Sequence, residues 1–396
     1  TLPTLPLLAW HFDRVSLVGI PATLAVAPGV AAAIPGIGAS LLLSLLPGGL
    51  GAFLAGGVGL LLALVEQGVR WSAALPGASI WVSRPALLGA TAVALPVLVF
   101  LRRGFPGRVG PAVRRSAASG AACAAVLLIP LVPTGGALEI HMLDVGQGDA
   151  IALRTPSNRW LLVDAGPRSQ SFDAGARRVV PYLRRHGVRS LDVMILSHPH
   201  LDHVGGAPAV LRDLRVRGIM DPSRAVPSSV WRETLSVARD QGISWWTARS
   251  DQAFRVGGVH FEVLHPDPAT VEDPTLSDLN DLSIVVLVRH GRGTLLLTGD
   301  AGSAIEEAIL DALPPISVLK VGHHGSRTSS SAELLDRVRP GAALIPVGDG
   351  NHYGHPHADV KERYVERGIP VYRSDRDGDV RVRLYRDGSM RVQTRY

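Results

Sequence analysis

The chain has 396 residues, enough for two domains or more, and 46% of them are hydrophobic, which is high for a soluble protein. Its single cysteine, Cys123, excludes an intramolecular disulfide and any cysteine-based metal site, so a metal cluster here must use histidine and carboxylate. The net charge of +6, carried mainly by arginine, suits an anionic partner without requiring one.

Composition divides the chain. Up to about Pro133 it is nearly all Leu, Ala, Val, Gly and Pro, and of the 14 histidines only His11 lies there. A membrane-spanning helix needs about 20 predominantly apolar residues. Residues 15–46 supply one long span or a broken pair, interrupted by Pro21, Pro28 and Pro35. Residues 50–65 are a second, slightly short candidate, and 85–101 and 116–132 are two more. Arg70, Trp71, Trp81 and Arg84 suit a headgroup belt. No run has the charged start and cleavage site of a signal peptide. Arg102, Arg103, Arg108, Arg114 and Arg115 fill the loop between the last two spans, which the positive-inside rule puts in the cytoplasm. The expectation is a multi-pass inner-membrane segment over residues 1–134 and an extracytoplasmic domain over residues 138–396.

The second part reads as α/β. Strands are expected at 138–143, 150–154 and 160–164, then a helix at 172–186 and a buried strand at 191–196. Later strands fall at 259–264, 283–289, 294–298, 317–321 and 342–347, with helices at 303–312, 332–338 and 358–367. Antiparallel strands interleaved with helices imply two sheets packed face to face with helices outside.

The polar motifs fall at strand ends. Ser197-His-Pro-His-Leu-Asp-His203 packs three imidazoles and a carboxylate into six positions. In an extended segment His198 and His200 point the same way and close on one ion. If the chain then turns into a helix, Asp202 and His203 swing toward a second. Gly205 and Gly206 let the following segment pack closely. Imidazole with carboxylate suits zinc, manganese or iron rather than calcium. Asp164 closes an apolar strand before Ala165-Gly166, and Asp300 closes another beside Gly299; helix capping is the competing role for both. His323 and His324 follow another strand. With Asp300 as a shared carboxylate and one of these two histidines, the set suits two ions about 3.5–4 Å apart.

His198, His200, Asp202 and His203 form a pattern that resembles the signature of the metallo-β-lactamase superfamily, and Asp164, Asp300 and the His323/His324 pair match its other ordered motifs. More narrowly, Leu143-Asp-Val-Gly-Gln-Gly-Asp149, Lys320-Val-Gly-His-His-Gly-Ser326 and Asn351-His-Tyr-Gly-His-Pro356 resemble the C-terminal domain of the ComEC family of DNA-uptake competence proteins. The Leu5-Pro-Leu-Leu-Ala-Trp-His-Phe12 stretch and the following spans look like the end of that family's membrane segment. The likeness covers essentially the whole chain and leaves out the amino-terminal part of the family's members. It implies an αββα sandwich, two divalent ions (zinc or manganese), and ligation by His198, His200, Asp202, His203, Asp300 and His324. His324 is preferred to His323, which is left to support a ligand or meet the phosphate. Asp164, and Asp149 near it, orient a ligand histidine rather than bind metal.

One departure stands out. Many superfamily members place another histidine between the first cluster and the Asp300 strand. His260 and His265 come too early, and the expected place, Asn280-Asp-Leu-Ser283, has none. That leaves the His198/His200 ion with an open position.

Lys320, Ser326, Arg327, Asn351, Tyr353, His355 and His357 are candidates for the substrate phosphate. Asp202, His323 and His355 carry the candidate catalytic roles, with His355 and then Tyr353 preferred as proton donor to a leaving alkoxide. Arg177, Arg178, Arg184, Arg185, Arg212, Arg215 and Arg217 suit a DNA backbone, or reflect only an arginine-rich coding preference. Trp245 and Trp246 fit a core as well as a stacking platform.

The leading expectation is uptake of transforming DNA, with hydrolysis of the strand not taken up. Its partners are DNA, membrane lipid and other competence proteins or the family's amino-terminal segments. The competing readings are a hydrolase of another phosphodiester or ester, and a non-catalytic DNA-binding membrane module.

Overall fold

A computed structural model describes residues 14–46, 49–75, 77–82, 135–224 and 226–394. The spans expected at 85–101 and 116–132, the arginines between them, His11 and Cys123 lie outside the described residues. The chain divides into two compact units, Thr1–Pro130 with Arg184–Gly187, and Leu131–Leu183 with Val188–Tyr396.

Among the described residues of the first unit, the apolar runs form two helices, Gly19–Leu43 and Leu50–Ala74. The first continues through Pro28 and Pro35, so residues 15–46 give one helix and not a broken pair. The second extends past the expected residue 65 and takes in Arg70, which donates to Glu66 one turn back at 2.6 Å. Gly29 and Gly36 let the pair approach closely, because a Cβ at either would come within 2.7 Å of Val65 or Val58. The outward faces are apolar: Leu24 is 71% exposed and Phe53 83%. At 1.5 Å per residue each 25-residue helix is roughly 37 Å long, enough for a hydrocarbon core of about 30 Å. Both are long and apolar enough to cross a membrane.

The described residues of the second unit form two large sheets, with a small separate pair of strands, Ser190–Leu191 and Arg215–Val216. Across the first, the strands are Ser244–Thr247, Gly218–Asp221, Val193–Ile195, Trp160–Val163, Ile151–Arg154, Leu138–Met142, Val380–Leu384 and Met390–Thr394. Across the second they are Ala253–Val256, Val259–His265, Val285–His290, Gly293–Leu297, Val318–Lys320, Ala342–Ile345 and Val371–Arg373. Alternation explains the layering. Leu161, Val163, Val193 and Ile195 from one sheet join Phe261, Val286, Val288 and Leu295 from the other in a single core. The intervening Leu162, Met194, Leu287 and Leu296 are also buried, so both outer faces are covered. Over the second sheet, helices Ser303–Ile309, Ala332–Val338 and Ala358–Glu366 supply Ile305, Leu335 and Tyr364. The result is the αββα sandwich.

Two expectations change. Helix Ser229–Asp240 and strands Gly218–Asp221 and Ser244–Thr247 occupy a stretch where no element was expected. Trp245 and Trp246 lie on that edge strand as packing residues. Trp246 lies against the inter-sheet core, while Trp245 donates to Asp221 at 2.7 Å. The helix expected at 172–186 begins only at Gly175, with a wide turn before Val180–Arg185.

Candidate metal centre

Strand Val193–Ile195 delivers Ser197 and His198 to the sheet edge, and His200 precedes the short helix Leu201–Val204. His198 Nε2 and His200 Nδ1 lie 3.0 Å apart, so the i, i+2 spacing does bring two imidazole nitrogens together. The turn carries Asp202 and His203 to a second position. Gly206 makes the turn feasible: a Cβ there would lie 2.3 Å from the Ala165 carbonyl and 2.4 Å from the Gly175 nitrogen.

Asp300 stands between the His198 ring and the His203 and His324 rings. Its Oδ1 is 3.3 Å from His203 Nε2, and its Oδ2 is 3.6 Å from His324 Nε2 and 3.9 Å from His198 Nε2. Its own backbone N–H donates to Ser283 Oγ at 3.0 Å. His323 and His324 both sit at positive φ, 46° and 53°, which β-carbon residues adopt only when the surroundings enforce it. His324 Nδ1 lies 2.9 Å from the Pro346 carbonyl, leaving Nε2 to face Asp202 Oδ2 at 3.3 Å. His323 is more exposed, and its Nε2 stays 3.9 Å from Asp300.

A supporting layer lies beneath. Asp164, also at positive φ, accepts from Ser197 N at 2.8 Å and Ser197 Oγ at 2.7 Å, and lies 2.8 Å from His203 Nδ1. It caps no helix; its carboxylate holds the His203 ring. Ser197 was not singled out in the sequence, yet its hydroxyl also lies 3.1 Å from His198 Nδ1. Asp149 is buried against Lys320 Nζ, with its Oδ1 3.3 Å from His324 Nδ1.

Charge in this cluster is mutually dependent. Burial disfavours a charged His203, but Asp300, Asp164 and Asp149 outweigh it and hold its pKa well above the usual imidazole value. Against the same penalty, Asp300 and Asp149 push His324 up to about 10. Burial would raise Asp300, yet His203 and His324 hold it well below the carboxylate range. His198 goes the other way, lowered by burial and by His203.

These residues fit a divalent cation. One donor atom each from Asp202, His203, Asp300 and His324 lies within 4.8 Å of the others. His203 Nε2 and Asp300 Oδ1 are buried and make no hydrogen bond, although they face each other. Such groups are costly to leave unpaired, and a cation satisfies both. Imidazole with carboxylate is a donor set that suits zinc, manganese or iron.

The family model described as Metallo-beta-lactamase superfamily matches residues 143–349, which contain every one of these residues. The chain belongs to that superfamily. A second family model, Competence protein, matches residues 1–104. A competence segment followed by a metallo-β-lactamase domain is the layout of a ComEC-type protein. ComE operon protein 3 of Bacillus subtilis (strain 168) is 28% identical over 406 residues, covering 96% of this chain and 50% of its own length. Recombination protein 2 of Haemophilus influenzae is 35% identical over 250 residues, 63% of this chain and 29% of that protein. The chain thus spans half or less of the curated relatives it matches. Among solved structures, the metallo-β-lactamase fold protein YhfI from Bacillus subtilis aligns at 13% identity and a TM-score of 0.42, over 65% of this chain and all of that one.

Several residues expected at the substrate are occupied otherwise in this metallo-β-lactamase domain. Lys320 is 2% exposed, and its ammonium is spent on Asp149 and on the Gly299 carbonyl at 2.6 Å. Burial works against its charge, but Asp149 and Asp300 raise its pKa, so it balances carboxylates inside the site. Asn351 uses its amide on its own loop, donating to the Gly348 and His355 carbonyls and accepting from His355 N. Ser326 is nearly buried, and its hydroxyl accepts from Thr328 Oγ1 at 3.1 Å. Tyr353 and His355 remain at the mouth. Tyr353 is 66% exposed and stacks on His355 at 5.6 Å, and His355 lies 5.7 Å from His323. Burial, then His324 and His323, lower the His355 pKa to about 4. His265 Nδ1 lies 2.9 Å from the Ser283 carbonyl, and His260 pairs in register with Arg289. Arg212 and Arg217 pair with Glu233 and Asp192, so neither is a free cation for a DNA backbone.

Proposed function

We propose that this chain is a membrane-inserted, metal-dependent hydrolase of DNA phosphodiesters acting in DNA uptake, with the strand that is not transported as its substrate. The observation that carries this reading is the convergence of Asp202, His203, Asp300 and His324 beside the His198/His200 pair. It occurs in a chain whose first hundred residues match a competence family. Two divalent ions, zinc or manganese, are assigned to these ligands, with Asp300 shared. When bound they supply Lewis acidity toward phosphoryl oxygens and an activated water.

The chain's own groups do the rest. Asp164 and the Pro346 carbonyl hold the His203 and His324 rings with Nε2 turned inward. Lys320 offsets negative charge that Asp149 and Asp300 would otherwise place together. His355 is neutral at pH 7, because burial, and then His324 and His323, disfavour a proton on it. A phosphodiester anion entering beside it favours protonation, which readies His355 to protonate the leaving alkoxide. Tyr353, stacked and exposed, offers a hydroxyl and a ring face to the nucleotide. Helices Gly19–Leu43 and Leu50–Ala74 support membrane insertion of the first unit.

The test uses the 396-residue chain purified in detergent and incubated with Mn²⁺ or Zn²⁺ and end-labelled DNA. Cleavage is expected, and Asp300→Ala should reduce it by at least about a thousandfold, as expected when a shared ligand is lost. Turnover of small phosphodiesters with DNA untouched would replace the substrate class. DNA binding with no cleavage at any metal concentration would overturn the hydrolase.

A further inference from the structure

The His198/His200 position has two imidazoles and one edge of Asp300, fewer donors than its neighbour. The end of segment 278–284, at Ser283 and Ile284, lies beside it. Ile284 N donates to the Ser197 carbonyl at 2.9 Å, one residue before His198. Ser283 Oγ receives the Asp300 N–H, and a Cβ on Gly299 would touch both Ser197 and Ser283 at 3.1 Å. Ser283 and Ile284 therefore join the His198 loop to the Asp300 loop.

Within the segment, residues Leu279–Leu282 form one tight turn capped by Asp278, whose carboxylate accepts from Asn280 N at 2.9 Å. The Asn280 carbonyl accepts from Ser283 N at 2.9 Å, so the backbone of Asn280 is fully engaged. Its side chain is not: Asn280 Oδ1 is shielded from solvent and has no hydrogen-bond partner. A buried carbonyl oxygen left unpaired costs about 1–3 kcal/mol, and such orphans call for an explanation. Nothing else on this short turn needs an amide there, since the cap and the turn are made by Asp278 and by backbone.

We propose that Asn280 Oδ1 is the further protein ligand of the ion held by His198 and His200. The assignment rests on the two-ion reading above and goes beyond it in predicting which metal is taken. An amide oxygen is a hard, neutral donor that suits manganese or magnesium better than zinc, which a third imidazole would favour. The two positions thus differ in preference as well as in donor number.

Metal uptake decides the matter without reference to catalysis. Wild type, Asn280→Leu and Asn280→Asp are titrated as full chains in detergent with Mn²⁺, followed by calorimetry and by metal content after gel filtration. Wild type should take two ions. Asn280→Leu, similar in volume but with no oxygen, should weaken the second by tenfold or more, while Asn280→Asp should hold it at least as tightly as wild type. Asn280→His should shift the second position toward Zn²⁺. The metal-free Asn280→Leu protein should melt no lower than wild type, because an orphan oxygen has been removed, and a smaller Mn²⁺-induced gain in Tm then reports lost binding alone. Two ions retained at wild-type affinity by Asn280→Leu would overturn the proposal and leave the two-ion reading intact. Fewer than two ions in wild type would overturn both.

Discussion

At the scale of single residues, the centre is a set of charges that hold one another in place. His203 and His324 keep protons because Asp300, Asp164 and Asp149 surround them, despite burial that would remove those protons. A pH dependence follows for the metal-free protein. The His324 pKa is about 10 folded and about 6.5 unfolded. A raised pKa contributes stability that is complete below the unfolded value and lost as pH climbs through the folded one. His203 acts in the same direction. The metal-free Tm should therefore fall between pH about 6.5 and about 10. With Mn²⁺ present the trend should reverse, because binding displaces those protons and is favoured at high pH. Thermal melts with and without chelator check this, and a metal-free Tm flat over that range would contradict the charge assignment.

Which residues gather was largely legible from spacing. His198 and His200 lie two apart on an extended segment, and Asp300 ends a strand beside a glycine, so local geometry already directs them. The partners that hold them were not legible. Ser197 touches Asp164 across a separation of 33 residues, and the Pro346 carbonyl meets His324 across 22. Lys320 read as a cation for phosphate because nothing in its flanking residues shows that it faces Asp149.

At the scale of elements, the loop after strand Ala342–Ile345 decides how the site meets its substrate. Asn351 ties it by three hydrogen bonds, so Tyr353 and His355 are presented from a shaped loop. Asn351→Ala should leave metal content unchanged and lower kcat/KM for DNA by about tenfold or more, since small misplacements near a reacting group are costly. Loss of metal on this substitution, or unaltered cleavage, would show that the loop does not act this way. The strands with clear alternation and the helix Ala332–Val338 were legible with small shifts at their ends. Residues 218–247 were not, because helix Ser229–Asp240 carries Arg, Glu and Asp among few apolar residues. Trp231, Thr234 and Ala238 bury its inner face, which becomes apparent only once a sheet lies beneath them.

At the scale of the whole molecule, the proposal puts two solvents on one chain. The helices Gly19–Leu43 and Leu50–Ala74 expose leucine and phenylalanine that water would penalise, while residues 135–394 bury theirs between and outside two sheets. The arginines at 102, 103, 108, 114 and 115 make the expected orientation one with the metal centre outside the inner membrane. A reporter joined after Tyr396 should be active only if it functions outside the cytoplasm, and activity confined to a cytoplasmic reporter would reverse the orientation.

The sequence by itself determined the division into an apolar part and an α/β part, and the donor types available to a metal, because composition and short-range periodicity are local properties. Only the tertiary structure decided which histidine Asp164 holds, His203, and that Lys320 neutralises carboxylates. It also decided that Asn280 Oδ1 is shielded from solvent without a hydrogen-bond partner. Each of these depends on strand ends far apart in the chain being brought to one sheet edge. Burial there turns ordinary polar side chains into groups that must find a partner.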